Sequence, residues 1–156
     1  MDRADAVRLV ERLRAARNTI VFTNGVFDLL HPGHLRYLQH ARSLGDALIV
    51  GVNSDRSVRA IKGEGRPITP AAERVEIVAA LSCVDAAVIF DEDTSLAIIS
   101  ALQPDVLVKG ADWAADAIVG RDVVEARGGR VERVPIASGY STTAMLEKIR
   151  NLRLSR

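Results

Sequence analysis

Short apolar segments recur along the chain, and a polar or glycine-rich segment follows each of them. Stretches with the apolar spacing of helices separate these segments. Strands that alternate with helices pair in parallel, and helices then cover both faces of the sheet. We therefore predict an α/β fold built on a doubly wound, parallel, five-stranded sheet with helices on both faces. The predicted strands span residues 19–23, 47–52, 84–90, 105–108 and 131–136.

Capping residues and glycines set the predicted helix boundaries. Asp2 caps a first helix that runs to about Arg17, and Thr69 with Pro70 starts another that runs to about Leu81. The other predicted helices span residues 33–45, 94–102, 120–127 and 141–150, with a short one near residue 55. No repeat or linker interrupts the pattern, so we expect one domain over 1–156, with an N-terminal helix (1–17) and a core (19–150).

The composition narrows the class of protein. The 156 residues, 48% of them hydrophobic and 26% charged, suffice for a globular core. Lys and Arg total 21 against 20 Asp and Glu, and the resulting net charge of +1 argues against a nucleic-acid partner. Cys83 is the single cysteine, which excludes an internal disulfide. We find neither a signal sequence nor an apolar run of the roughly 20 residues that span a membrane, and expect a cytoplasmic protein without a membrane partner.

Two of the three histidines lie in the first link after a predicted strand. His31 and His34 flank Pro32 and Gly33, where a helix is predicted to begin. A helix N-terminus offers unpaired backbone N–H groups and a partial positive charge, which suit phosphate. Gly33 would let a phosphate approach the backbone, and the histidines can donate hydrogen bonds to oxygens that gain charge during phosphoryl transfer. The alternative is a pair of structural histidines at a helix cap.

Residues 23–34 read Thr-Asn-Gly-Val-Phe-Asp-Leu-Leu-His-Pro-Gly-His, which resembles the HxGH signature of the cytidylyltransferase-like nucleotidyltransferases. Further segments that resemble this family lie at 52–55, 66–67, 74, 84–85, 109–113 and 139–143. Within it, the chain is most similar to the D-glycero-β-D-manno-heptose 1-phosphate adenylyltransferases. The glycerol-3-phosphate cytidylyltransferases share the Gly-x-Asp-Trp and Gly-x-Ser-Thr-Thr segments, so these segments do not discriminate between the two.

The resemblance implies a Rossmann-like fold and a homodimer. It also implies transfer of AMP from ATP, with Mg²⁺, to D-glycero-D-manno-heptose 1-phosphate, which gives ADP-heptose for lipopolysaccharide core biosynthesis. No nucleophile is paired with a base at a convincing spacing, so we expect direct in-line attack without a covalent intermediate. Two alternatives stay open. One is another pair of substrates, such as CTP and glycerol 3-phosphate, and the other is a nucleotide-binding regulatory subunit that has lost catalysis.

The resemblance also implies roles for individual residues. The expected catalytic residues are His31, His34 and Lys62. The expected nucleotide-binding residues are Asn24, Gly25, Val26, Phe27, Gly33, Lys109, Gly110, Asp112, Gly139, Ser141, Thr142 and Thr143. The expected acceptor-binding residues are Asp28, Arg66 and Arg74. No set of side chains is expected to hold a metal.

Several of these residues have a structural alternative. Lysine is scarce here, and Lys62 and Lys109 both fall in predicted links at strand carboxyl ends, where each can meet a phosphate or remain a solvated or paired charge. Arg74 can instead form a surface ion pair. Ser141 can simply cap the last helix. Asp28 is more plausible as an organiser of its loop than as a base, and Trp113 can pack the loop or contact ligand.

Overall fold

The structure, a computed structural model, describes residues 1–112, 114–135 and 139–154, without the side chains of 115, 153 and 154. Five parallel strands form one sheet in the order β3-β2-β1-β4-β5. They are β1 (Ile20–Gly25), β2 (Ala47–Asn53), β3 (Ala86–Phe90), β4 (Val106–Gly110) and β5 (Arg130–Val134). The helices are α1 (Arg3–Ala15), α2 (Pro32–Arg42), α3 (Asp55–Lys62), α4 (Ala71–Ala79), α5 (Leu96–Leu102), α6 (Arg121–Glu125) and α7 (Thr142–Leu154), with a 3-10 turn at Ala115–Ala117. The predicted fold class is confirmed.

β1 lies at the centre of the sheet. It pairs with β2 on one side, with Ile20 opposite Ala47, and with β4 on the other, with Val21 opposite Val106. The strand order reverses direction between β1 and β4. In sheets of this kind ligands bind beyond the carboxyl ends of the strands at such a reversal, so the fold singles out the segments that follow β1 and β4.

Two hydrophobic clusters cover the two faces of the sheet. One lies under α1, α5 and α6 and is built around Phe22 and Leu107. The other lies under α2 and α4 and is built around Leu48 and Val108. Every residue of β2 is buried, as expected for a strand that is covered on both faces and reads as one continuous apolar run.

Side-chain caps explain where several helices begin. The carboxylate of Asp2 accepts a hydrogen bond from the N–H of Asp5, which confirms the predicted cap of α1. Ser54 accepts from the N–H of Ser57 and caps α3 in the same way. In the part of the chain that the structure describes, no helix is long and apolar enough to cross a membrane.

Two predicted boundaries around the segment between α3 and α4 are wrong. Lys62 is the last residue of α3 rather than part of a loop, because the chain turns only at Gly63, whose φ is +86°. Thr69 does not cap α4. Pro70 occupies that position without a side-chain cap, since the Thr69 hydroxyl and N–H are both bonded to Asp28.

The prediction for the end of the fourth strand is also wrong. Lys109 and Gly110 belong to β4 rather than to the link after it, because they continue the pairing with Arg133 and Val134 of β5. Residue 136, the predicted end of the last strand, and Trp113 lie outside the described residues.

Candidate active site

A cavity of about 410 Å³ opens where β1 and β4 end. Its wall combines the segment between β1 and α2, the end of α3, the residues after β4 and the start of α7. Most of the residues predicted for the site lie in this wall. They are Asn24, Gly25, Val26, Phe27, Asp28, His31, Gly33, His34, Lys62, Arg66, Gly110, Asp112, Ser141, Thr142 and Thr143.

The turn after β1 is held in a strained backbone conformation. Phe27 has a φ of +49°, in the left-handed region that residues other than glycine rarely adopt. Its ring packs over Gly25, where a Cβ would lie 3.1 Å from Cε2 of Phe27. The edge of the same ring meets His34 at a centroid distance of 5.5 Å. The ring of Phe27 therefore joins Gly25 at the end of β1 to His34 of the motif. The strained backbone marks this turn as a candidate functional segment.

His31 and His34 stack against each other at the N-terminus of α2. Their ring centroids are 3.8 Å apart and their planes differ by 16°. His31 is the N-cap residue, and its Nδ1 accepts from the backbone N–H of His34 at 3.3 Å. Since Nδ1 of His31 acts as an acceptor, the proton of the neutral ring resides on Nε2. His31 therefore caps the helix with one nitrogen and retains a donor on the other.

Both histidines are neutral at pH 7. Burial lowers the pKa of His31, and a hydrogen bond between the ring and the backbone of the same residue only partly offsets this effect. Burial, followed by the charge of His31, lowers the pKa of His34 to about 4. Nδ1 of His34 is buried and has no hydrogen-bond partner among the described residues, an environment that opposes a charged ring. The pair can donate hydrogen bonds to an anion but does not attract it as a permanent cation.

Gly33 is needed for a reason that the sequence did not suggest. A Cβ at this position would lie 2.9 Å from Nδ1 of His31 and 3.0 Å from Cβ of Tyr140. The space beside Gly33 is therefore filled by protein side chains. The absence of a side chain at Gly33 lets His31 fold back onto the helix and lets Tyr140 approach it.

Asp28 organises the segment that leads from α3 to α4. Its carboxylate accepts from the N–H groups of Ile68 and Thr69 and from Nε of Arg66, at 2.8 to 3.0 Å. Burial raises the pKa of Asp28, but these hydrogen bonds outweigh burial, so the net pKa lies below the usual value. Asp28 is thereby saturated as an acceptor. Arg66 uses its Nε for this contact and lies in the cavity wall, where its terminal nitrogens can face a ligand.

Arg74 lies behind the cavity wall rather than in it. Its side chain is fully buried, and it donates to the carbonyls of Thr69 and Val26 and to the carboxylate of Asp55, at 2.6 to 2.8 Å. The guanidinium therefore joins the turn after β1, the start of α3 and the start of α4. The structure does not present Arg74 to an acceptor, in contrast to its predicted role, because all three nitrogens are already bonded to protein.

Lys109 and Gly139 also lie outside the cavity wall. The ammonium of Lys109 donates to Asn24 and, at 3.4 Å, to Ser95 at the start of α5. Burial lowers the pKa of Lys109 to about 8. Gly139 has a φ of +86° and turns the chain into α7. The direct contacts with nucleotide that the sequence predicts for these two residues stay predictions.

The start of α7 forms part of the cavity wall. The hydroxyl of Ser141 accepts from the N–H of Ala144, so Ser141 acts as a helix cap. Thr142 donates to the carbonyl of Leu29 at 3.4 Å and ties this turn to the segment after β1. The N-termini of two helices, α2 and α7, therefore face one cavity, which is the arrangement that favours an anionic ligand.

Two tyrosines of the cavity wall were missed by the sequence reasoning. Tyr37 donates or accepts a hydrogen bond with Thr23 at 2.8 Å, and burial, only partly offset by that bond, raises its pKa to about 12. Tyr140 stacks on His31 with centroids 6.0 Å apart. The sequence spacing does carry a signal for Tyr37, because Tyr37 follows His34 by three residues and therefore shares its face of α2.

A family model described as cytidylyltransferase-like matches residues 22–148, which include the histidine motif and the start of α7. The chain belongs to the cytidylyltransferase-like family. Membership confirms the nucleotidyltransferase class that the sequence predicts, and the shared region contains the whole cavity wall described above.

Curated relatives and solved structures agree with this membership. The chain is 55% identical to the bifunctional protein HldE of Citrifermentans bemidjiense over 90% of its own length, and 56% identical to that of Geotalea uraniireducens over 96%. It spans only 29% and 30% of those two proteins. A lipopolysaccharide core biosynthesis protein from Thermoplasma volcanium is 30% identical, with a TM-score of 0.63, and the alignment covers 80% of this chain and 99% of that one. Pantothenate synthetase from Thermus thermophilus, 19% identical with a TM-score of 0.51, shares the fold alone.

Replacing Arg74 tests whether this residue supports the cavity or binds a ligand. We expect Arg74→Met to lower the free energy of unfolding by about 3 kcal/mol, because it leaves buried carbonyls and Asp55 without their donor. Urea denaturation measures this loss. The exposed Arg59 of α3 provides the control, since Arg59→Met should change stability by less than about 0.5 kcal/mol. An Arg74→Met protein of undiminished stability would contradict the supporting role.

The pKa of His34 predicts a pH dependence of stability. Unfolding returns the ring to its ordinary pKa of 6.5, whereas the folded value is about 4, so the unfolded state binds more protons between these values. We therefore expect the free energy of unfolding to fall as the pH is lowered from 6.5 towards 4. In His34→Gln this fall should be smaller, whereas His40→Gln, on the exposed part of α2, should behave like wild type. Urea titrations at pH 7 and pH 5 measure the difference, and identical profiles for the His34 variant and wild type would contradict it.

Proposed function

We propose that the chain transfers AMP from ATP to D-glycero-D-manno-heptose 1-phosphate and releases pyrophosphate. The observation that carries this proposal is the single cavity faced by the His31–His34 pair and by the N-termini of α2 and α7, with Lys62 and Arg66 in its wall. This set of groups suits a chain of phosphates beside a second, phosphorylated substrate.

Two further observations support the choice of substrate. The sequence resembles the heptose 1-phosphate adenylyltransferases from residue 19 to residue 150. The similar protein from Thermoplasma volcanium is described as a lipopolysaccharide core biosynthesis protein, and the alignment covers nearly all of it. ADP-heptose, the expected product, is a precursor of that core.

The proposed reaction is a direct displacement at the α-phosphorus of ATP. A phosphate oxygen of the sugar 1-phosphate attacks this phosphorus, a new P–O bond forms, and the bond to the β-phosphate oxygen breaks. Its electron pair leaves with pyrophosphate. The attacking phosphate is already ionised near pH 7, so the step requires no strong general base. Asp28 is accordingly not needed as a base, and its carboxylate is occupied by three donors.

Each group has a definite task in this scheme. The Nε2–H of neutral His31 and the ring of His34 donate hydrogen bonds to phosphate oxygens whose charge increases in the transition state. Lys62, exposed at the end of α3, supplies a mobile positive charge for the triphosphate. Arg66, whose Nε is fixed on Asp28, can direct its terminal nitrogens to the acceptor phosphate. Thr142 and Thr143 would contact the nucleotide phosphates.

Mg²⁺ is proposed as a companion of ATP. Among residues 1–112, 114–135 and 139–154, no group of three or more His, Cys, Asp or Glu side chains could hold a metal ion. Asp112 offers one carboxylate in the cavity wall, and Mg²⁺ is commonly bound by one or two carboxylates together with substrate phosphates. When bound, the ion would neutralise charge on the phosphates.

We also propose a homodimer and a cytoplasmic location. The homodimer rests on the family resemblance, and light scattering of the purified protein measures the mass. The location rests on the use of ATP.

Other substrate pairs, CTP with glycerol 3-phosphate first among them, are the alternative within the same enzyme class.

A grid of nucleotides and acceptors tests the proposed substrates. ATP and CTP are each combined with heptose 1-phosphate and glycerol 3-phosphate, and pyrophosphate release is measured together with the mass of the product. We expect turnover with ATP and heptose 1-phosphate, and ADP-heptose as the product. Turnover with a different pair alone would refute the assignment, and absence of turnover with every pair would favour a regulatory subunit.

Replacing His31 tests its part in the reaction. We expect His31→Ala to lower kcat by about 10²-fold, as the loss of one donor to transition-state charge does elsewhere. His40→Ala, on the same helix but outside the cavity wall, is the control and should retain wild-type turnover. Circular dichroism checks that both variants fold. Undiminished kcat in a folded His31→Ala protein would remove this histidine from the mechanism.

A further inference from the structure

Four side chains form a column of contacts, and three of them, His31, His34 and Tyr140, lie in the cavity wall. The ring of His34 stacks on His31, and His31 in turn stacks on Tyr140, with planes that differ by 16° and 20°. The guanidinium of Arg36 lies 5.5 Å from the centre of the Tyr140 ring. Centroid distances of 3.8 and 6.0 Å place the rings in stacking contact.

Tyr140 and Arg36 have no task in the reaction described above. Tyr140 is 38% exposed and lies in the cavity wall, and Arg36 is exposed on α2. They come from different parts of the chain, because Arg36 belongs to the helix that His31 caps and Tyr140 precedes α7. The Cβ of Tyr140 lies where a side chain at Gly33 would have to be placed. The contact thus joins the two helix N-termini that face the cavity.

We propose that Tyr140 is a positioning residue that fixes the ring plane of His31, with Arg36 holding Tyr140 in place. The proposal rests on the function proposed above, in which Nε2–H of His31 donates to a phosphate oxygen. Through this contact the segment that leads into α7 sets the direction of the histidine donor on α2.

His31 needs such support because its own anchor is weak. The hydrogen bond from the His34 N–H to Nδ1 is 3.3 Å long, which is beyond the usual range. This bond fixes the position of one nitrogen but leaves the ring free to tilt about it. The stacking contacts of the His31 ring with His34 and with Tyr140 restrict that tilt. Since a donor stabilises the transition state only when it points at the oxygen that gains charge, a change of tilt lowers kcat.

A merely structural role for Tyr140 makes a different prediction. If the tyrosine only ordered residues 139–143, its loss would weaken the binding of nucleotide phosphates by this segment. The KM for ATP would then rise and kcat would be preserved. Action through His31 lowers kcat and depends on the presence of His31. The two roles are therefore separable by kinetics.

The experiment compares Tyr140→Leu, which removes the aromatic ring, with Tyr140→Phe, which retains it. We expect Tyr140→Leu to lower kcat between about twofold and tenfold and to leave the KM for ATP within about twofold. Tyr140→Phe should keep wild-type kcat. Arg36→Met should lower kcat about twofold, whereas Arg36→Lys, which keeps the positive charge, should retain wild-type kcat. Arg8→Met removes an exposed arginine of α1 and is the control for the loss of a surface charge, so it should also retain wild-type kcat.

A double variant decides whether Tyr140 acts through His31. In the His31→Ala background, Tyr140→Leu should change kcat by less than about 1.5-fold, because there is no longer a ring to position. Equal effects of Tyr140→Leu with and without His31 would overturn the proposal. So would a rise in the KM for ATP at constant kcat, or a Tyr140→Phe protein as impaired as Tyr140→Leu.

A spectroscopic measurement keeps this inference separate from the choice of substrates. In histidine-labelled protein without any acceptor, Tyr140→Leu should shift and broaden the His31 ring signals in NMR spectra, whereas Tyr140→Phe should preserve them. The signals of His40 serve as the internal control. Unchanged His31 signals in Tyr140→Leu would overturn the proposal, whatever pair of substrates turns over. Failure of every pair in the grid, with the expected shift of His31, would instead refute the proposed function alone.

Discussion

Parallel pairing of all five strands is the constraint on which the rest of the structure depends. It brings every strand's carboxyl end to the same edge, so the segments after β1 and β4 meet although about 80 residues of chain separate them. Neither of these segments could form a cavity alone. The buried guanidinium of Arg74 then locks the turn after β1 to the starts of α3 and α4. The sheet determines which segments meet, and a few buried polar contacts determine their shape.

Much of the fold and most of the cavity wall could be predicted from local patterns. A strand such as β2, buried on both faces, is a continuous apolar run, and Asp2 has the side chain that caps a helix start. The motif around His31 and His34 was visible because glycine, proline and two histidines are unusual together at a strand-to-helix junction. In each of these cases the cause lies within a few residues of the effect.

The remaining features depend on partners far apart in sequence. Thr69 has the chemistry of a helix cap, but its N–H donates to the distant carboxylate of Asp28 and its hydroxyl donates to the backbone carbonyl of Asp28. The sequence alone allows a surface ion pair for Arg74, but in the fold its guanidinium is buried and donates to the carbonyl of Val26 and the carboxylate of Asp55. The sequence predicts that Gly33 leaves space for a ligand, whereas the ring of His31 and the Cβ of Tyr140 fill that space. A local pattern of residue types does not contain the information about which distant group each side chain contacts in the folded protein.

The left-handed backbone of Phe27 has a consequence for the evolution of stability in this chain. Such a conformation costs on the order of 1 kcal/mol for a residue with a side chain, and glycine would remove that cost. Glycine would also remove the ring that packs over Gly25 and against His34. At position 27, a residue that relieves the backbone strain would therefore also remove the packing that keeps the cavity wall rigid. Selection for heat resistance alone would favour glycine at position 27, whereas selection for ligand binding would retain phenylalanine.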